Sequence, residues 1–303
     1  MGDHRAHWRQ KAVTDTGFTV VEIYPNILVY KNVFKDPLKN YEILKRSSDN
    51  KEDRVFGQWE KWSHFGKYLS YPVSDFNKEF NLENLKSIEA DTEIKQDEKS
   101  FIIELLESFY KVTEDYLSRY GKEFGFDKDE KIKTYEGDIV PLWQMYGPSI
   151  CKYHEEITDA MSMTYHSDFI REPIPSPGYK FGITANAYFN DDYIGGEIDF
   201  FVNGELVKYK PEAGDWLLFP SGHPEILTKN DTVYLHGVFP SSKEEKYFSR
   251  MYWRKYSVGS EEWFEKEREF GKEAWYDMQG SIHEEYVKTI PNRHEIPEGV
   301  RVK

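Results

Sequence analysis

The sequence predicts a mostly β fold with supporting helices, a β-sandwich or jelly roll, and two observations carry that expectation. From about residue 138 onward, short runs rich in β-branched and aromatic residues follow one another: DIVPLWQMY, SICKY, MSMTYH, KFGITANAYF, GEIDFFV, ELVKYKP, DWLLFP, TVYLHGVF and KYFSRMYW. Turn signals separate several of them. Asn203-Gly204 is the strongest, a two-residue type I′ hairpin turn in which both residues take positive φ. Gly195-Gly196 and the Pro211 to Asp215 stretch are others. Ahead of the strands the period changes. Phe101, Leu105, Phe109, Val112 and Tyr116 recur at helical spacing, which predicts a long amphipathic helix from about Asp97 to Tyr120.

Taken in order, residues 1–20 are expected to form a flexible arm. Ile27 to Phe34 (ILVYKNVF) reads as a strand. Asp36-Pro37 opens a helix to about Arg46, with Asp as N-cap and Pro at the first helical position. Residues 47–78 are polar with scattered aromatics, Trp59 and Trp62 among them, and read as a long ordered loop suited to a lid. Helix returns over 259–276 (GSEEWFEKEREFGKEAWY), and 277–303 reads as a tail. The expected organisation is one domain over 21–276, with helical support in 35–121 and the β core in about 138–254.

Composition narrows the function. The 303 residues carry a formal net charge of −14, which argues against nucleic-acid and anionic-membrane partners, since both need excess Lys and Arg. The single cysteine, Cys151, allows no intrachain disulfide and fits a reducing, cytoplasmic setting. MGDHRAHWRQ lacks the apolar segment of a secretory signal, and Ala6 stands where myristoylation wants Ser or Thr. No window approaches 18 apolar residues, so no membrane span is expected.

Chemistry concentrates in YHEEITDAMSMTYHSDF (153–169), which holds histidine-x-carboxylate twice. That spacing is cheap, since His154, His166, His223 and His283 all have it. A lone histidine is more often a surface or core residue than a ligand, so context decides. His283 lies in a charged stretch beyond the strands. His166 ends the MSMTYH run with Asp168 just past it, and residues i and i+2 of extended chain point to one side. A third ligand must come from a distant strand, and His236 in TVYLHGVFP has that setting. Two imidazoles and one carboxylate leave three adjacent positions open on an octahedral ion, the facial triad of non-haem iron oxygenases. His154 with Glu156 is the competing pair.

His166-x-Asp168, NDDYIGGEIDFF, GDWLLFP, and LHGVFP followed by a basic residue on an aromatic strand resemble, as an ordered set, the Fe(II)/2-oxoglutarate-dependent dioxygenases, prolyl 4-hydroxylase-like branch. The resemblance covers about residues 140–254. It implies a double-stranded β-helix (jelly roll) and a hydroxylase acting on an unactivated C–H bond, with Fe(II), 2-oxoglutarate and O2. It assigns His166, Asp168 and His236 to the metal. Lys246, ten residues after His236, falls to the distal carboxylate of 2-oxoglutarate, with Arg250 as its rival because a guanidinium grips a carboxylate with two bonds. Lys246, Phe248, Arg250 and Tyr252 share one face of their strand. Thr184 is expected to turn its hydroxyl to the co-substrate. Tyr153 or Tyr146 fills the tyrosine position ahead of the metal pair. Asp168 favours hydroxylation over halogenation, which needs the carboxylate's place for halide.

The implied partner is a peptide, an amino acid or a small metabolite, with a prolyl residue the family-level expectation. The three-proline segment 169–180, with Arg171, borders the metal by chain proximity. A non-catalytic jelly-roll ligand-binding protein is the alternative. A cupin-type enzyme fits less well, because its usual HxH pair is absent.

Overall fold

The structure is a computed structural model that describes residues 10–13, 17–49, 59–62, 66–69, 85–87, 89–153, 163–168, 176–222, 234–238, 241–278 and 301–302. In chain order it begins with β1 (Gln10–Val13), β2 (Thr19–Tyr24), β3 (Ile27–Lys31) and helix α1 (Pro37–Asp49), then β4 (Trp59–Trp62), β5 (Gly66–Leu69) and helix α2 (Glu93–Phe124). Next come β6 (Lys131–Lys133), β7 (Ile139–Pro141), β8 (Trp143–Tyr153), β9 (Met163–His166), β10 (Gly178–Tyr188) and β11 (Ile194–Gly195). The remainder is β12 (Ile198–Val202), β13 (Glu205–Tyr209), β14 (Trp216–Pro220), β15 (Leu235–Val238), β16 (Ser241–Ser242), β17 (Lys246–Ser257), helix α3 (Glu261–Phe270) and β18 (Arg301–Val302).

Nine strands form one sheet in the order β1-β2-β3-β14-β10-β17-β8-β5-β4, and five form another in the order β18-β13-β12-β15-β9. From β8 onward the chain alternates between them: β8, β10, β14 and β17 lie in the large sheet, while β9, β12, β13 and β15 lie in the small one. Period-2 alternation then sorts the large sheet's side chains into two cores. Leu28 and Tyr30 of β3, Trp216 and Leu218 of β14, and Ala185 and Ala187 of β10 pack with α1 and α2 in one cluster. Ile27 and Val29, Leu217 and Phe219, and Tyr188 join residues of β12 and β13 in a second cluster between the sheets. The central strands of the large sheet, β3, β14 and β10, are therefore buried on both faces.

The helices form where caps and spacing allow. Asp36 caps α1, its Oδ1 accepting from Lys39 N at 3.0 Å. Thr92 caps α2, and Gly125 closes it in the left-handed region at φ 63°. Phe101, Leu105, Phe109, Val112 and Tyr116 are all at most 1% exposed, the stripe their spacing predicts. Asn203 (φ 52°) and Gly204 (φ 77°) make the hairpin turn between β12 and β13.

Three boundaries differ from the sequence expectation. The stretch expected to be an arm supplies β1 and the start of β2, paired in the register Gln10↔Glu22 to Val13↔Thr19. Valines and threonines there favour a pleated partner. Within 47–78, β4 and β5 form a hairpin that extends the large sheet beside β8. The polar residues between its β-favouring Trp and Tyr residues hide this hairpin in the sequence. In the expected tail, Arg301 and Val302 pair in parallel with β13. No described helix is long and apolar enough to cross a membrane.

Trp216 is fully buried against Phe34 and Phe109, with ring centroids at 5.5 and 6.5 Å. Trp216→Ala is expected to lower stability by about 3–5 kcal/mol in urea denaturation. Ile139→Ala, at a side chain 72% exposed, should stay within about 0.5 kcal/mol of wild type.

Candidate metal centre

β9 and β15 are antiparallel neighbours, and their register sets His236 directly opposite His166. The pairing shifts between His236 and Val238, a bulge of the kind that re-aims a side chain beside a functional site. The two imidazole centroids lie 4.4 Å apart. Asp168 follows His166 by two residues and completes the group: its Oδ1 is 3.6 Å from His166 Nε2, and its Oδ2 is 3.8 Å from His236 Nε2. One ligand atom from each of the three lies within 4.8 Å of the others. Among the described residues this is the one cluster of metal-ligating side chains.

Neighbouring groups orient the three. Thr184 Oγ1 donates to Asp168 Oδ2 at 2.7 Å. His236 Nδ1 faces the Tyr234 carbonyl at 3.5 Å, which favours the tautomer with Nε2 free to ligate. Burial alone would raise the Asp168 pKa, but His236, His166 and Thr184 outweigh it and hold the carboxyl well below the usual carboxylate range. A carboxylate that stays ionised beside two imidazoles is a fitting donor set for a divalent ion.

A cleft opens on the cluster, lined by β10, β17 and the end of β8 on one side and by Ile198, His236 and Val238 on the other. Lys246, Phe248, Arg250 and Tyr252 all line it, as the period-2 expectation requires. Lys246 is 1% exposed, which excludes a surface lysine. Its Nζ donates to the Gly196 carbonyl at 2.5 Å and lies 5.0 Å from the Tyr188 ring centroid and 5.9 Å from that of Tyr153. Tyr153 pairs with Lys246 across β8 and β17. Tyr146 sits further out, against Phe181 and Tyr252, and does not line the cleft. Burial works against the Arg250 charge, but Tyr252, Cys151, Asp168 and Tyr153 hold its pKa above the usual guanidinium value.

Thr184 lines the cleft, and its hydroxyl is bonded to Asp168. Asn186 and Tyr188 also line the cleft. The alternation in KFGITANAY, continued from Thr184, points to both. The Asn186 Oδ1 atom is buried with no hydrogen-bond partner among the described residues. Gly196 reads in sequence as a turn residue only. The structure gives it φ +69°, and a Cβ there would sit 2.6 Å from Tyr193 Cε2 and 3.2 Å from Lys246 Cδ. His154, Glu156, His223, His283 and Arg171 lie outside the described residues, as does most of 169–180.

No protein-family model and no curated protein matches the sequence. Several solved structures are similar in backbone. The viral collagen prolyl hydroxylase of Paramecium Bursaria Chlorella virus-1, in its 2OG complex, is 14% identical with a TM-score of 0.44, over 76% of this chain and 96% of that one. A Pseudomonas putida prolyl-4-hydroxylase is 11% identical at 0.42, over 76% and 92%. A structure described for prolyl 4-hydroxylases from Phytophthora capsici is 13% identical at 0.41, over 87% and 83%.

Two substitutions test the arrangement. Thr184→Val removes the bond to Asp168 at nearly constant volume. It should weaken Mn(II) binding, followed by electron paramagnetic resonance, by about 10–100-fold; an unchanged affinity would show that the bond orients nothing. Gly196→Ala should cost about 1–3 kcal/mol in urea denaturation through strain and overpacking. Gly204→Ala, where a Cβ would meet nothing within 4 Å, should show the smaller loss due to positive φ alone.

Proposed function

We propose that the protein is a non-haem Fe(II)- and 2-oxoglutarate-dependent oxygenase that hydroxylates an unactivated C–H bond. The observation that carries this is the meeting of His166, Asp168 and His236 at one end of a cleft that also holds the fully buried Lys246. Support also comes from the strand order. A chain that alternates between two facing antiparallel sheets from β8 to β17 fits a double-stranded β-helix, the jelly roll that the sequence motifs imply.

His166, Asp168 and His236 would hold Fe(II), leaving three adjacent positions for 2-oxoglutarate and O2. When bound, the iron and its co-substrate supply the oxidising power: one oxygen atom of O2 enters succinate, the other becomes the product hydroxyl, and CO2 leaves. The chain's own residues bind, orient and exclude water. Thr184 fixes the Asp168 carboxylate, and the Tyr234 carbonyl sets the His236 ring. Tyr153, Tyr188, Phe248 and Ile198 wall the cleft with rings and aliphatic surface, which strengthens every charge interaction inside it. Lys246 offers its ammonium to a buried carboxylate, a group that needs a cation when taken out of water. Asp168 in the cluster favours hydroxylation, because halide would need its place. The substrate class rests on the family resemblance alone: a peptide, an amino acid or a small metabolite, with a prolyl residue as the family-level reading.

Purified protein given Fe(II) and 2-oxoglutarate without oxygen, then air, is expected to form succinate slowly even without a substrate. Asp168→Ala and His166→Ala should abolish it. An Asp168→Ala variant that keeps full iron-dependent turnover would refute the triad. Absence of both iron binding and succinate would return the chain to a non-catalytic ligand-binding protein.

A further inference from the structure

His236 reaches the metal cluster from β15, a strand of four residues, and Tyr234 stands two residues before it. Both side chains turn to the space between the sheets. Tyr234 is 2% exposed and belongs to that core, and His236 lies against Phe219 and Phe200 of the same core, with ring centroids 4.8 and 6.1 Å away. The Tyr234 backbone is held less firmly. Pairing of β15 with β12 ends at Phe201↔Leu235, and pairing with β9 starts only at His236↔His166. No ladder among the described residues reaches Tyr234, although its carbonyl is the group that faces His236 Nδ1. At 3.5 Å this contact is at the long end for a hydrogen bond. A small rotation of the peptide after Tyr234 would open it.

The phenol supplies what the ladder does not. The two-residue turn Pro25-Asn26 joins β2 to β3, and Asn26 takes φ 67°, a region that asparagine visits more readily than most side chains. Asn26 Nδ2 donates to Tyr234 Oη at 3.0 Å, and Tyr234 Oη donates to the Pro25 carbonyl at 3.4 Å. One donor and one acceptor on a single turn thus match the two roles of one hydroxyl. The turn is fixed in its own right by α2: the fully buried Tyr116 donates to the Asn26 carbonyl at 2.7 Å. A chain of contacts therefore runs from α2 through the turn to Tyr234 and ends at a metal ligand. Phenylalanine at 234 would fill the same core space, so packing alone does not account for the hydroxyl.

We propose that Tyr234, latched by Asn26, is a positioning residue for His236, so that the β2–β3 turn, outside every motif of the site, sets how well the third ligand meets the ion. This rests on His166, Asp168 and His236 being a metal centre. The phenol touches neither ion nor substrate. It aims the Tyr234 carbonyl at His236 Nδ1, which leaves Nε2 to the metal.

The test is metal binding by the full chain, with Mn(II) affinity followed by electron paramagnetic resonance and ligand geometry by the visible absorption of bound Co(II). Tyr234→Phe removes the hydroxyl and keeps the ring. It should weaken Mn(II) binding by about tenfold and shift the Co(II) bands. Asn26→Gly keeps the left-handed turn and removes the amide. It should also weaken Mn(II), and the double variant should bind no worse than Tyr234→Phe, because both changes break one contact. Asn26→Asp, which offers the phenol an acceptor in the same conformation, should restore most of the affinity. Tyr30→Phe is the control. It breaks a bond to Asp115 of 2.8 Å that leads to no metal ligand, and should leave Mn(II) affinity and the Co(II) bands unchanged even where urea denaturation shows lost stability. If Tyr234→Phe fails to fold, Asn26→Gly carries the test, with Asn26→Asp as its rescue. Wild-type affinity and bands in Tyr234→Phe and Asn26→Gly overturn the latch and leave the metal centre standing. Losses that add in the double variant, or an equal loss in Tyr30→Phe, overturn it too. A wild type that takes up neither ion overturns the metal centre and the latch together.

Discussion

Burial of both faces of the central strands of the large sheet is the constraint on which the rest depends. Each residue of its central strands must suit either the helix-side core or the space between the sheets. In β17, Tyr247 and Met251 belong to the helix side, while Lys246, Phe248, Arg250 and Tyr252 belong to the cleft. A slip of one residue would drive an ammonium and a guanidinium under the helices and turn Met251 toward the metal ligands. The cost of burying unpaired charge therefore fixes the register of β17 against β10, and the site inherits its alignment from the core.

Charge is arranged against the grain of the whole molecule. The chain carries −14 overall, yet the cleft concentrates cations. The acidic neighbours of Lys246 do not cancel it. Glu245 points to the other side, where it accepts from Lys152 Nζ and Tyr247 Oη, both at 2.7 Å. Glu244 lies 3.7 Å from Lys45 on α1. Strand alternation keeps one sign inside and sends the other out, so sequence proximity in KEEK says little about which charges meet.

The sequence disclosed what local pattern controls. The long helix, its apolar stripe and the Asn203-Gly204 turn follow from spacing and backbone preference, and the structure places them as expected. His166, Asp168 and His236 were legible because extended-chain geometry puts i and i+2 on one side, and the ordered motifs named a distant partner. The bulge opposite His236 was not legible, because it depends on how two separate strands align. Gly196 looked like any turn glycine. Its contact with Lys246 links residues 50 apart in the chain, beyond the reach of any local pattern. The strands in 10–24 and 59–69 were missed for a related reason: short segments gain their stability from the sheet edge they join, and propensity alone ranks them with loops.

β17 also joins the helices to the cleft, one face to each. On its helix side Trp253 stacks on Phe109 of α2 at 6.2 Å, and Tyr247 meets Tyr41 of α1 at 5.5 Å. On its other side it presents the cleft. Any excursion that peels this strand away must give up helix docking and cleft contacts together. Occupancy of the cleft is thereby linked to the opening equilibrium of the helices, and a ligand that touches neither helix would still slow the exchange of their amide hydrogens with solvent.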